Sequence, residues 1–158
     1  MQRRLLRRRQ VKIALGADHR GVGYKNALAE KLRAGGHEVA DLGTHDTEPT
    51  DYPDVAMAVA KHVVSGASER GILVCGSAVG VSVAANKVRG ARAATCHDPY
   101  SAAQGVRHDD MNILCMGELV IGWKLAWEVT AAFLGATFSD EPRFQRRLDK
   151  VLAAEAKT

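Results

Sequence analysis

The sequence predicts a single α/β domain in which a five-stranded parallel sheet is covered by helices on both faces. Two observations indicate this fold. Short apolar segments alternate with segments of helical pattern along the chain, and the strand-like segments are apolar throughout. A half-exposed strand alternates apolar and polar residues, whereas a strand buried on both faces is continuously apolar. The segments GILVCG (71–76) and NILCMG (112–117) show the second pattern most clearly.

The predicted elements follow one another in a regular order. Apolar runs predict strands at 11–16, 38–43, 71–76, 91–96 and 112–117. Helical periodicity and end signals predict helices at 21–35, 53–64, 79–87, 99–106, 122–134 and 142–156. Pro53 suits the first helical position, and Gly135 follows the fifth helix. Because the loops are too short for a second domain, we predict one doubly wound, Rossmann-like, three-layer domain.

Five arginines lie within residues 1–10, MQRRLLRRRQ. They outweigh the net charge of +4, so the rest of the chain carries a net charge of −1. We predict that 1–10 is a disordered basic extension and that 11–158 form the domain. Such a segment can also be a nucleic-acid arm, a targeting segment or the product of a misassigned start, but Leu5-Leu6 is too short for a signal-peptide core. The near-neutral body lacks an aromatic stacking motif and predicts no nucleic-acid partner.

The three cysteines, Cys75, Cys96 and Cys115, form no CxxC pair and have no zinc-ligand spacing, so we predict no metal site. Cys96 and Cys115 lie in apolar runs and are predicted to be buried. An odd number of unpaired cysteines is typical of the reducing cytoplasm. Because no apolar run is long enough to cross a bilayer, we predict a cytoplasmic protein with no membrane partner.

Polar and reactive side chains stand next to the predicted strands. They are Asp18 and His19 after the first, Tyr52 after the second, Cys75 at the end of the third, His97 after the fourth, and His108 with Asp109 just before the fifth. In doubly wound folds, ligands bind beyond the carboxyl ends of the strands. We therefore expect these groups to converge on one edge of the sheet.

The segment CGSAVG (75–80) is the most informative of these. Gly76, Ser77 and Gly80 allow a tight turn that exposes backbone N–H groups at the start of a helix, which suits an anion. The positive end of that helix stabilises a thiolate, so Cys75 is either a reactive thiol or a buried structural residue. The segment is not a dinucleotide fingerprint, which belongs after the first strand, and it lacks the GK[ST] ending of a P-loop.

Four segments occur in a recognisable order: ALGADHRG (14–21), TDYPDVA (50–56), CGSAVGVSVAANKVRGARA (75–93) and NILCMG (112–117). Over residues 11–152, the chain resembles the type B ribose-5-phosphate isomerase family, which includes the galactose-6-phosphate isomerase subunits. The resemblance implies the same fold and an aldose–ketose isomerase that converts ribose 5-phosphate into ribulose 5-phosphate. It also implies a cis-enediolate intermediate, no metal or other cofactor, and a homodimer or dimer of dimers with active sites between subunits.

The resemblance implies roles for individual residues. Cys75 is the base that removes the C2 proton, Ser77 assists at the enediolate oxygens, and His108, contributed by the other subunit, opens the sugar ring. The implied substrate-binding residues are Asp18, His19, Tyr52, the backbone of Gly76, Ala78, Val79 and Gly80, Asp109, and the pair Arg143 and Arg147. The last two are four residues apart, on one face of a helix.

Four positions near this site depart from the family pattern or add charge to it. Asp109 stands where an asparagine commonly follows the ring-opening histidine, and its carboxylate would repel a nearby phosphate. Leu119 replaces a common arginine, Glu118 adds a carboxylate, and Phe144 replaces a frequent histidine. Three interpretations stay open: a ribose-5-phosphate isomerase, an isomerase of another tetrose, pentose or hexose phosphate, and a non-catalytic sugar-phosphate-binding subunit.

Overall fold

The computed structural model describes residues 9–158, which form one five-stranded sheet and six helices. The strands are β1 Lys12–Ala17, β2 Glu38–Asp41, β3 Arg70–Cys75, β4 Ala93–Thr95 and β5 Ile113–Gly117. The helices are α1 Val22–Ala34, α2 Tyr52–Val64, α3 Val79–Ala85, α4 Pro99–Asp109, α5 Trp123–Gly135 and α6 Pro142–Glu155. All strand pairs are parallel, in the order β2-β1-β3-β5-β4. The predicted fold is confirmed, while residues 1–8 of the predicted basic extension lie outside the described residues.

Two hydrophobic cores cover the two faces of the sheet. On one face, side chains such as Ile13 and Ile72 pack with α1, α4 and α5. On the other face, their strand neighbours Ala14 and Leu73 pack with α2 and α3, and Cys75 lies on this second face. Neighbouring residues of a strand point to opposite faces. The strands are therefore apolar at every position because both faces are buried.

Most element boundaries differ from the predicted ones by one residue, and a few differ by two or three. β4 has only three residues, and α3 ends at Ala85 rather than at Lys87. Helix α4 begins where predicted, since the Ser101 N–H donates to Asp98 Oδ1 at 2.7 Å and caps its first turn. This hydrogen bond lowers the pKa of Asp98. The helix then continues beyond Val106 to Asp109, so the segment that carries His108 is helical rather than a loop.

The connections from β1 and β3 diverge and form a crevice at the carboxyl edge of the sheet. β1 lies between β2 and β3, and the chain leaves β1 through α1 toward β2. It leaves β3 through α3 toward β4, on the other side of the sheet. The turns after β1 and β3 consequently face each other, in the position where doubly wound folds bind ligands.

Candidate active site

The turn between β1 and α1 is held against the end of β3. The Arg20 N–H donates to Asp18 Oδ1 at 2.9 Å, and the Gly21 N–H donates to the Asp18 carbonyl at 3.1 Å. A Cβ built on Gly21 would overlap the carbonyl of Val74 and lie 2.9 Å from the Cys75 nitrogen. Only glycine allows this approach, which brings Asp18 and Arg20 next to the carboxyl end of β3.

The loop after β3 folds its backbone around the Cys75 thiol. The Ala78 N–H donates to Cys75 Sγ at 3.0 Å, and the Val79 N–H donates to Ser77 Oγ at 3.3 Å. Ala78 has a φ of 73°, in the left-handed region that costs an L-residue about 1–2 kcal/mol. Its side chain is fully buried, and its carbonyl accepts a hydrogen bond from Thr95 Oγ1 at 3.2 Å. These contacts hold an N–H donor on the Cys75 sulfur.

The two glycines of this loop make room for neighbouring side chains. A Cβ on Gly80 would lie 2.8 Å from Tyr52 Cε2, so the aromatic ring rests directly on the glycine. A Cβ on Gly76 would lie 3.2 Å from Arg20 Cδ and 3.4 Å from Leu119 Cδ1. The sequence predicts that the glycines make the tight turn, but the residue of this loop with a positive φ is Ala78. The glycines instead allow the close approach of neighbouring side chains.

A cavity of about 340 Å³ opens beside the thiol. Its lining combines residues from the ends of β1, β3 and β5 and the start of α2: Arg20, Tyr52, Cys75, Gly76, Ser77, Gly80, Leu119 and Val120. The structure therefore brings together Cys75, Ser77, Gly76, Gly80 and Tyr52, as the sequence predicts. The other two predicted loop residues, Ala78 and Val79, lie in the same turn.

His19 is oriented by the long loop between β2 and α2. The Thr50 N–H donates to His19 Nδ1 at 3.1 Å, so a neutral ring carries its proton on Nε2. The start of this loop is fixed by Asp41, which accepts hydrogen bonds from Lys25 Nζ at 2.6 and 2.7 Å and from the Gly43 N–H at 3.0 Å. Burial raises the pKa of Asp41, but the hydrogen bonds from Lys25 and Gly43 outweigh burial and leave that pKa below its ordinary value.

A second cluster lies where α4 meets α6. The rings of His108 and Phe144 are stacked, with centroids 4.0 Å apart and an interplanar angle of 12°. The guanidinium carbons of Arg143 and Arg147 lie 4.5 and 5.8 Å from the centre of the Phe144 ring. Arg143 Nε also donates to Glu141 Oε2 at 2.9 Å. One buried ring thus gathers three of the predicted functional residues.

Within one chain, the expected convergence of the strand-adjacent groups on one edge is wrong for His108 and Asp109. Both lie on the last turn of α4, just before β5 begins, whereas Cys75 pairs with Gly117 at the other end of that strand. Asp109 and Arg147 line a different cavity, of about 660 Å³, between α6 and the β4 edge. A residue that precedes a parallel strand lies at the amino edge of the sheet, whereas Cys75 lies at the carboxyl edge. Because His108 and Asp109 precede β5, their positions in the sequence do not group them with Cys75.

His97 supports the Cys75 loop from the β4 side. Its Nε2 accepts a hydrogen bond from the Gly117 N–H at 2.9 Å, and burial lowers the pKa of His97, which favours the neutral ring. A Cβ on Gly117 would lie 2.8 Å from the carbonyl oxygen of Gly76, so this strand end is packed tightly against the loop. Cys96 and Cys115 are buried, as predicted, and burial raises the pKa of both thiols.

Sequence reasoning missed Arg20 and misjudged Glu118. Arg20 lines the cavity, and its position in the turn after β1 was the available signal. The Glu118 carboxylate does not line the cavity. Instead, its Oε2 accepts a hydrogen bond from the Tyr24 N–H at 3.1 Å, at the first turn of α1, where a negative charge is favourable. Gly23 leaves room for it, because a Cβ there would lie 2.6 Å from Glu118 Oε1.

Residues 9–158 contain neither a cluster of metal ligands nor a helix that could cross a membrane. In that part of the chain, no three His, Cys, Asp or Glu side chains are grouped so that they can hold a metal ion. Its helices are all too short or too polar to span a membrane. The three cysteines are free thiols.

Comparison with known proteins gives consistent matches over nearly the whole chain. Residues 13–151 match the model of the Ribose/Galactose Isomerase family. Ribose-5-phosphate isomerase B of Escherichia coli is 44% identical over 144 residues, covering 91% of this chain and 96% of the relative. D-erythrulose-4-phosphate isomerase 2 of Mycolicibacterium smegmatis is 38% identical over 148 residues, covering 92% and 97%.

A solved structure gives the same result. The crystal structure of ribose-5-phosphate isomerase B from Mycoplasma genitalium with bound ribulose-5-phosphate is 36% identical and superposes with a TM-score of 0.88, covering 93% of this chain and 97% of that one. The predicted fold and the predicted enzyme class, an aldose–ketose isomerase, are both confirmed. The chain belongs to the ribose/galactose isomerase family.

Proposed function

We propose that this chain converts ribose 5-phosphate into ribulose 5-phosphate with Cys75 as the proton-transfer base. The observation that carries the proposal is the Cys75 thiol, which lines a cavity and accepts a hydrogen bond from the Ala78 N–H at 3.0 Å. The Escherichia coli relative is named for this reaction, and the Mycoplasma genitalium structure holds ribulose 5-phosphate. Three free cysteines also fit the cytoplasmic location that the sequence predicts.

The proposed chemistry uses one base for both proton transfers. The Cys75 thiolate removes the proton from C2 of the open-chain aldose, and the electrons of that C–H bond form the C1–C2 double bond of a cis-enediolate. The thiol then returns the proton to C1, while the hydroxyl proton moves from O2 to O1, so the product is the ketose. Those backbone N–H groups of residues 76–80 that are not donated to Cys75 Sγ or Ser77 Oγ stabilise one enediolate oxygen, and the Ser77 hydroxyl forms a hydrogen bond with the other.

The proposed site is completed by a second copy of this chain. His108 lies in a cluster separate from the Cys75 cavity, so ring opening and proton transfer on one substrate need residues of two subunits. Val79 and Val83, one turn apart on α3, expose 60% and 56% of their surface, and Leu119 and Val120 expose 71% and 54%. Exposed apolar residues around a cavity support a protein interface there. We therefore propose a homodimer or a dimer of dimers.

Each remaining predicted residue has a place in this proposal. Asp18 accepts hydrogen bonds from sugar hydroxyls, and His19 donates a hydrogen bond through Nε2 to the phosphate. Tyr52 lines the end of the cavity where the sugar ring opens. Arg143 and Arg147 of the second copy bind the phosphate beside His108, since guanidinium groups suit phosphate geometry. Asp109 of that copy accepts a hydrogen bond from a sugar hydroxyl.

A second candidate substrate is a tetrose phosphate. The Mycolicibacterium smegmatis relative is named as an isomerase of D-erythrulose 4-phosphate. Leu119, in place of an arginine at the cavity, favours a substrate other than that of the arginine-bearing members. Measuring kcat/KM for a panel of tetrose, pentose and hexose phosphates decides between them. A clear preference for ribose 5-phosphate supports the first proposal, and a preference for erythrose 4-phosphate supports the second.

Two experiments test the catalytic proposal itself. Cys75→Ala is expected to lower kcat by about 10²-fold or more while leaving the thermal unfolding temperature near that of the wild type. Retained turnover would reject Cys75 as the base. The Cys75→Ala and His108→Ala proteins can be mixed while unfolded and then refolded together. This co-refolding is expected to restore part of the activity, because hybrid dimers contain one intact composite site. If the mixture stays as inactive as each variant alone, the shared site is wrong.

A further inference from the structure

We infer that Arg20 is the cation by which the Cys75-bearing subunit binds the anionic group of the substrate, beside His19, and that Leu119 makes room for it. The inference rests on the proposed function, because it concerns the same cavity. It names the feature by which this cavity selects a phosphorylated sugar over a free one.

Arg20 is placed at the cavity by the turn after β1. The Asp18 carboxylate fixes the Arg20 backbone, and Gly21 presses the turn against the end of β3. From there, the Arg20 side chain crosses over Gly76, where a Cβ would lie 3.2 Å from Arg20 Cδ. The guanidinium is thus carried by a rigid turn to a point adjacent to the Cys75 loop.

The charge of Arg20 is available to a ligand. Among the described residues that line this cavity, Arg20 alone carries a charged side chain. Over residues 9–158, its guanidinium takes part in no salt bridge and no side-chain hydrogen bond. The two nearest candidate carboxylates along the chain have other partners, since Asp18 accepts the Arg20 N–H and Glu118 accepts the Tyr24 N–H. An unpaired guanidinium at a concave site is suited to bidentate binding of a phosphate.

Leu119 also lies next to Gly76. Its Cδ1 would lie 3.4 Å from a Cβ on Gly76, so the Leu119 and Arg20 side chains border one glycine. An arginine at position 119 would bring a second cation to this place and repel the first. A leucine instead adds no charge beside Gly76 and leaves the Arg20 guanidinium without a competing cation. The cation is therefore supplied by the β1 turn rather than by the β5 turn.

The test compares R20Q, R20K and R20Q/L119R with the wild type, and uses R33Q as the matched control because Arg33 lies at the other end of α1. Two quantities are measured: the affinity for inorganic phosphate by calorimetry, and KM and kcat for ribose 5-phosphate. R20Q is expected to weaken phosphate binding and raise KM by about tenfold or more, with kcat changed by less than about threefold. R20K should retain part of the affinity, R20Q/L119R should recover most of it, and R33Q should match the wild type.

The outcomes separate this inference from the proposed function. If R20Q binds phosphate within about twofold of the wild type, the inference is wrong whatever the catalytic activity. If R20Q/L119R shows no recovery, the part that concerns Leu119 is wrong. If the wild type binds phosphate through Arg20 but turns over no sugar phosphate, the proposed function fails while the inference stands.

Discussion

The imidazole of His108 lies flat against the ring of Phe144, with the two centroids 4.0 Å apart. Phe144 is buried, while Arg143 and Arg147 lie over the same ring on the exposed side of α6. A phenylalanine at this position therefore fixes the orientation of the histidine and of two cations together. This contact explains how a residue that departs from the family pattern still serves the proposed ring-opening step.

Replacing Phe144 by leucine is expected to impair ring opening more than proton transfer. Leucine keeps the position apolar but removes the flat surface that orients His108. We expect kcat for ribose 5-phosphate to fall by about tenfold, since acid–base groups lose efficiency when misplaced. Erythrose 4-phosphate cannot form a furanose ring because its O4 carries the phosphate, so its turnover should change much less. An equal loss on both substrates would contradict the role given to Phe144.

Gly21 is expected to tolerate no side chain. Alanine at this position would drive its methyl group into the Val74 carbonyl and against the Cys75 nitrogen, both of which are fixed in the sheet. We expect Gly21→Ala to lower the free energy of unfolding by about 3 kcal/mol, measured by urea denaturation. The folded Gly21→Ala protein should also bind sugar phosphate poorly, because the turn carrying Asp18 and Arg20 is displaced from β3.

Gly135→Ala is the matched control for this experiment. Gly135 ends α5, and a Cβ there would meet no atom within 4 Å. We expect this substitution to change the free energy of unfolding by less than about 0.5 kcal/mol. If both variants were equally stable, close approach would not be the reason for glycine at position 21.

Most of the fold was predictable because its signals are local. Apolar runs and the proline and glycine at helix ends located all five strands and six helices within a few residues. The boundary of α4 was less predictable. Its extension to Asp109 depends on Asp110, which ends the helix in a left-handed conformation with φ 50°. A short apolar pattern contains no sign of such a cap, so the helix was predicted to end at residue 106.

The site was predictable only in part because its geometry depends on side chains that approach through space. Cys75, Ser77 and Tyr52 were identified from their positions in the sequence, and they do line one cavity. The position of the Arg20 side chain next to Gly76 depends on how tightly the turns after β1 and β3 pack against each other. This packing involves two separate segments, so neither segment predicts it alone. Likewise, the binding of Glu118 to the first turn of α1 joins residues 94 positions apart in the chain.

The Lys25–Asp41 ion pair is expected to give the fold an acid-sensitive component. The Lys25 side chain is fully buried, and the Asp41 carboxylate is its partner at 2.6 Å. Asp41→Asn should lower the free energy of unfolding by about 3–5 kcal/mol at pH 7, because it leaves a buried ammonium unpaired. Since the folded pKa of Asp41 lies below 3.8, the wild-type contribution is complete above pH 3.8 and is lost as the pH falls through the folded value.

Urea unfolding of the wild type and D41N from pH 7 to pH 2 measures this component. The difference in unfolding free energy between the two proteins should shrink below pH 3.8, the ordinary pKa of the carboxyl. The double variant K25M/D41N serves as the control, because it removes the buried ammonium together with the carboxylate, leaves no unpaired charge and should recover part of the loss at pH 7. A difference that is independent of pH would rule out the ionised pair as its source.

His97 is expected to make the Cys75 loop sensitive to mildly acidic pH. Its neutral Nε2 accepts the Gly117 N–H, and a protonated ring has no acceptor to offer. Burial holds the folded pKa of His97 below 6.5, so the unfolded chain takes up the proton first. The stabilisation is therefore complete above pH 6.5 and is lost as the pH falls from there to the folded value.

The variant that tests this sensitivity is His97→Gln, whose side-chain oxygen can accept the same hydrogen bond without titrating. As the pH falls through 6.5, the wild type should lose unfolding free energy relative to H97Q, and its kcat/KM should fall in the same window, because Gly117 packs against Gly76. His45→Gln is the control, since most of the His45 side chain lies in solvent and the variant should keep the wild-type slope. If H97Q and the wild type show parallel pH profiles, protonation of His97 does not open the contact between β5 and the Cys75 loop.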